Sequence, residues 1–86
     1  MKLSGRHRAT LAAILSDPVR SGVVWTDIEA LMIACGAEVT EGRGSRIRVA
    51  LNGVRAVCHR PHPQKETDEG AVRSVRRVLF EAGVTP

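Results

Sequence analysis

The sequence predicts an α+β domain of two layers: a three-stranded antiparallel sheet with its helices on one face, and an extra helix at the N-terminus. Three observations carry this. Ile47, Val49 and Leu51 alternate with Arg46, Arg48 and Ala50, then Asn52-Gly53 offers the positive-φ pair of a type I′ turn, and Val54 to His59 returns as a second strand. Ahead of this hairpin, Ile28, Leu31, Met32 and Cys35 recur at helical spacing. Behind it, Val72, Val75, Leu79 and Ala82 do the same. The order helix, helix, three strands, helix lets the helices cover the apolar face of the sheet and leaves the other face wet.

In chain order, Met1 to Arg8 reads as a short basic tail that includes His7. Leu11, Ile14 and Leu15 predict a brief amphipathic helix, stopped by Asp17-Pro18 because proline cannot continue a helix. Residues 1–24 are thus expected as an extension ahead of a core over 25–84, within one domain of residues 1–86. Thr26-Asp27-Ile28-Glu29 has the T-x-x-E form of a capping box, with Trp25 as the apolar residue just before the cap, packing on the first turn. Gly36 ends that helix.

Ala37 to Glu41 alternates Ala37 and Val39 with Glu38 and Thr40 and predicts a first strand beside the hairpin. Gly42 to Ser45 is its loop. Beyond the hairpin, Pro61, Pro63 and the polar run through Asp68 predict an exposed connection without regular structure, carrying His62 and Lys65. The last helix runs from Gly70, with Arg73, Arg76 and Arg77 on a second stripe, Phe80 at the border of the apolar one and Gly83 as the stop. The chain has no internal repeat and no low-complexity segment.

A two-residue turn sets the hairpin register. Leu51 then faces Val54, Val49 faces Ala56 and Ile47 faces Cys58 on the apolar side. On the other side Ala50 pairs with Arg55, Arg48 with Val57 and Arg46 with His59, so three arginines and a histidine share a surface turned away from the core. Between Glu41 and Glu66 there is no acidic residue, whereas six of the chain's 13 basic side chains fall there: Arg43, Arg46, Arg48, Arg55, Arg60 and Lys65. No carboxylate is expected across the strands from these arginines, and like charges held close together await a counter-charge. The patch therefore predicts RNA, or an acidic protein surface, as its partner.

The remaining composition narrows the function classes. At 86 residues and a formal charge of +4, one small domain faces a polyanion. Cys35 and Cys58 lie in apolar patterns, form no C-x-x-C pair and are expected in the core, so neither a disulfide scaffold nor a thiolate zinc site is indicated. With no secretory signal and no long apolar run, the expectation is a soluble cytoplasmic protein without membrane association. Trp25 and Phe80 are the only aromatic residues, too few for a base-stacking platform.

From about Trp25 to Val84 the chain resembles the HicA family of bacterial toxins. The resemblance rests on the helix ending Gly36-Ala37, the Arg43-Gly44-Ser45 turn entering a strand, the returning strand ending near Pro61-His62, and the closing Gly70-Ala71-Val72-Arg73-Ser74-Val75 through Ala82-Gly83-Val84. It implies a double-stranded-RNA-binding-like fold, an mRNA endonuclease that needs neither metal nor other cofactor, and a HicB antitoxin that holds it inactive. It also implies a histidine directly after the Gly-Ser turn, where this chain has Arg46. A guanidinium stays protonated and offers no lone pair, so Arg46 cannot act as a base.

His59, predicted directly across from Arg46, is the candidate acid/base for the 2′-hydroxyl of a ribose, with His62 as a second imidazole. Arg43, Ser45, Arg46, Arg48, Arg55, Arg60 and Lys65 are the candidate phosphate ligands. Two alternatives share this surface: a non-catalytic RNA-binding module of the same fold, and a protein-interaction domain that sets the basic face against an acidic partner.

Overall fold

Asn52 and Gly53 both take positive φ, at 50° and 80°, and the tight turn they form joins strands Arg46–Leu51 and Val54–His59. In the computed structural model, which describes residues 3–20, 22–61 and 65–84, the pairing runs Leu51 with Val54, Ala50 with Arg55, Val49 with Ala56, Arg48 with Val57, Ile47 with Cys58 and Arg46 with His59. That is the register expected from a two-residue turn. The elements in order are α1 (Gly5–Ile14), β1 (Val23–Val24), α2 (Trp25–Ala34), β2 (Glu38–Glu41), β3 (Arg46–Leu51), β4 (Val54–His59), β5 (Glu66–Thr67) and α3 (Glu69–Glu81).

The main sheet has the order β2-β3-β4 and is antiparallel throughout. Ile47, Val49, Leu51 and Cys58 turn inward and join one buried cluster with Ile28, Leu31 and Met32 of α2 and Val72, Val75 and Leu79 of α3. The α+β reading, with helices against one face of a three-stranded sheet, holds.

Several local readings change. The N-terminal helix starts at Gly5, because the Ser4 side chain accepts from the His7 amide and caps it. His7 and Arg8 are therefore helical rather than part of a tail. Leu11 and Ile14 are 2% and 0% exposed within the common core, and the Arg76 guanidinium of α3 donates to the Ile14 and Ser16 carbonyls at 2.9 and 2.6 Å. Arg76 thus caps the C-terminus of α1, whose last carbonyls have no partner within the helix.

The capping box does not form. Helix α2 begins at Trp25, one residue before the expected cap, and Val24 precedes it without a side-chain bond. The Trp25 amide donates instead to the Lys65 carbonyl at 3.0 Å, and Glu29 is engaged elsewhere. That bond prolongs a small antiparallel ladder, Val23 with Thr67 and Val24 with Glu66, in a segment expected to lack regular structure. A tertiary partner for the first amide removes the need for a threonine cap.

Helix α3 begins one residue before the expected start, capped by Asp68, whose carboxylate accepts from the Ala71 amide at 2.8 Å. Val78 joins the predicted apolar stripe, whereas Phe80 is 78% exposed rather than at its border. No helix among the described residues is long and apolar enough to cross a membrane.

Candidate nucleic-acid interface

The outer face of the sheet is built by strand alternation: once Ile47, Val49 and Leu51 point inward, Arg46, Arg48 and Ala50 must point out. Residues directly opposed on neighbouring strands share a face, so the register sets out cross-strand rows. One row is Glu38, Ala50 and Arg55; the next is Thr40, Arg48 and Val57; the last is Arg46 and His59. Rows lie about 6.6–6.8 Å apart along the strands and strands about 4.7–4.9 Å apart.

Arg46, Arg48, Arg55 and His59 are all exposed, and among the described residues none of the three arginines makes an ion pair. Arg48, Arg55, Glu38 and Thr40 border a shallow depression of about 380 Å³ whose floor includes Ala50. Glu38 corrects one expectation: a carboxylate does lie on this face, supplied by β2. Extending the hairpin's alternation one strand further would have found it.

At the end of the sheet, the Gly42–Ser45 loop is closed by backbone bonds. The Gly42 amide donates to the Arg46 carbonyl at 2.8 Å and the Arg46 amide to the Arg43 carbonyl at 3.0 Å. A Cβ on Gly42 would meet that Arg46 oxygen at 3.1 Å, a tight approach that a larger residue could make only if the loop shifted by a few tenths of an ångström. The Ser45 carbonyl accepts from the Arg60 amide at 2.8 Å, which ties the loop to the residue after His59. Arg43 and Ser45 are exposed at this end.

Arg60, expected as a phosphate ligand, spends its guanidinium on two carboxylates. Nε and Nη2 donate to Glu29 at 2.8 and 3.1 Å, and Nη1 donates to both oxygens of Glu41 at 2.9 Å. Glu29 also accepts from the indole N–H of Trp25. The Arg60 hydrogen bond, helped by the indole, holds the Glu29 carboxyl below its ordinary range against the opposing effect of burial. Arg60 in turn is pushed further from deprotonation by Glu29 and then Glu41.

His59 also borders a cleft of about 290 Å³ between β4 and the first turns of α3, shared with Asp68, Gly70, Ala71 and Ser74. Lys65 lines a different groove of about 760 Å³, with Val24, Ile33 and Pro61, and stands apart from the Arg48–Arg55 depression. His62 lies outside the described residues. Burial raises the thiols of Cys35 and Cys58, the latter also through Glu29, so both stay protonated in the core. Among the described residues no three His, Cys, Asp or Glu side chains converge as a metal-binding group.

The face as a whole can grip a polyanion through free guanidinium groups and present an imidazole beside one of them. A family model described as the HicA toxin of bacterial toxin-antitoxin systems matches residues 25–84, from the first residue of α2 to just beyond α3. No curated protein and no solved structure matches the chain.

Proposed function

The chain belongs to the HicA toxin family, and from that premise we propose that it binds mRNA across the outer face of the sheet and cleaves it by metal-independent acid/base chemistry. The observation that carries the reading is the direct opposition of Arg46 and His59 on the exposed face. Opposed Cα atoms on antiparallel strands lie about 4.5–5.5 Å apart, so one phosphate can meet both side chains.

In this scheme His59 takes the proton of a ribose 2′-hydroxyl and the freed oxygen attacks the neighbouring phosphorus. The bond to the 5′-oxygen breaks, giving a 2′,3′-cyclic phosphate and a 5′-hydroxyl. Arg46 and Arg48 hold the charge that builds on the phosphate oxygens, where a fixed cation stabilises the transition state more than the ground state. His62 supplies the leaving oxygen's proton. A HicB-like antitoxin would silence the protein by covering the same face.

A second reading has its own observation. Arg46 stands directly after the Gly-Ser turn, where the family resemblance implies a histidine, and a chain lacking that imidazole is left with phosphate contacts alone.

The two part in one experiment: long single-stranded RNA incubated with the native chain, His59→Ala and His62→Ala, with EDTA and with added magnesium. Cleavage in EDTA that leaves cyclic phosphate ends and disappears in His59→Ala is the expected result. Intact RNA that is nevertheless retarded on a gel would establish the binding module and end the catalytic reading.

A further inference from the structure

The row Glu38–Ala50–Arg55 has a shape and a polarity that phosphate binding does not use. A carboxylate and a guanidinium stand on the outer strands β2 and β4, and the strand between them carries only a methyl group. All three border the depression of about 380 Å³, yet Glu38 and Arg55 are not within ion-pair distance of each other or of any other described charge. An acceptor pair and a donor fork thus face a common hollow about two strand spacings wide, or about 9–10 Å. A second carboxylate-free arginine would serve a phosphate better; an acid here repels one.

We infer that this hollow is a base-reading subsite, resting on the RNA reading above, and that it selects guanine. A carboxylate accepts two adjacent donors at once, and guanine alone among the four bases presents adjacent N1–H and N2–H groups. Adenine and cytosine each set a ring-nitrogen acceptor beside the amino group, against the second oxygen, and uracil flanks its one N–H with carbonyls. The opposite edge of guanine offers O6 and N7, the pair that an arginine fork meets in bidentate fashion. Ala50 leaves room for the ring above the sheet, and Arg48 in the next row reaches the phosphate of the same nucleotide, about 6.6–6.8 Å along the strand.

The test uses short oligouridines carrying one central G, A or C, titrated by fluorescence anisotropy at two salt concentrations. The proteins are the native chain, Glu38→Gln, Ala50→Leu and Arg55→Ala, each checked for native circular dichroism. The expected result is a preference for the G oligomer of about 5- to 150-fold, the discrimination a good bidentate pair supplies. Glu38→Gln and Ala50→Leu should abolish that preference while keeping salt-dependent binding of the other oligomers. Salt-dependent binding without a G preference, or a preference unaltered in both Glu38→Gln and Ala50→Leu, overturns the guanine subsite and leaves the RNA reading standing. No salt-dependent binding of any oligomer overturns both.

Discussion

Arg46 of β3 and His59 of β4 are directly opposed residues whose side chains stand on the exposed face of the sheet. Replacing Arg46 by histidine would therefore set two imidazoles across one strand gap, a base and an acid within reach of one phosphate. Arg46→His gives up one of the two arginines that hold the phosphate charge but leaves Arg48, and because a positioned acid or base contributes about 10²–10⁴-fold, the net rate of RNA cleavage should rise at least tenfold. Single-turnover kinetics on a defined RNA decides it; an unchanged or lower rate counts against the placement of the reaction at this pair.

Arg48 sits in the middle row and makes no ion pair among the described residues, so in the proposed RNA complex its contribution would be a released counterion. Arg48→Ala should weaken all RNA sequences alike and lower the slope of log affinity against log salt by about 0.7, the single-strand value for one phosphate. A slope identical to that of the native chain would remove Arg48 from the interface.

The Glu29 carboxylate has a defined pH signature. Its folded value lies below the ordinary 4.5, so on acidification the unfolded chain takes up the proton first. The stabilisation is complete above about 4.5 and is lost as pH falls through the lowered folded value. Urea melts between neutral pH and about pH 3 should show stability declining on the acid side, and Glu29→Gln should flatten that part of the curve. Glu29→Ala, which leaves the buried Trp25 indole without its acceptor, should cost about 1–3 kcal/mol at neutral pH.

Arg76 makes α1 part of the same structure as α3. Arg76→Ala leaves the Ile14 and Ser16 carbonyls without their donor and should destabilise by about 1–3 kcal/mol. Ile14→Ala, at a fully buried site, should cost about 2–5 kcal/mol. Chemical denaturation checks both, and losses below about 0.5 kcal/mol would mean α1 is dispensable.

The hairpin was legible pair by pair because Asn52-Gly53 admits one kind of turn, and that turn admits one register. The buried stripes of α2 and α3 followed from spacing alone. What sequence could not show are partners far along the chain. Glu29 and Glu41 reach Arg60 from 31 and 19 positions away, and nothing local marks that arginine as already neutralised. The strands β1 and β5 have two residues each, too short to show a period. The capping box failed for the same reason, since the Lys65 carbonyl that satisfies the Trp25 amide comes from a distant loop. Glu38 is different: its place on the outer face followed from the strand reading and needed only the register carried one strand further.

The two-residue turn between β3 and β4 also makes the pairing of its strands a local event. Closing so short a loop costs little chain entropy, and hairpins form in about 1–10 μs, whereas Arg76 meets Ile14 across 62 positions. By loop closure alone, pairing Arg46 with His59 costs less chain entropy than locking α1 onto α3. The opposition of Arg46 and His59 thus depends on local chain closure more than on the docking of α1.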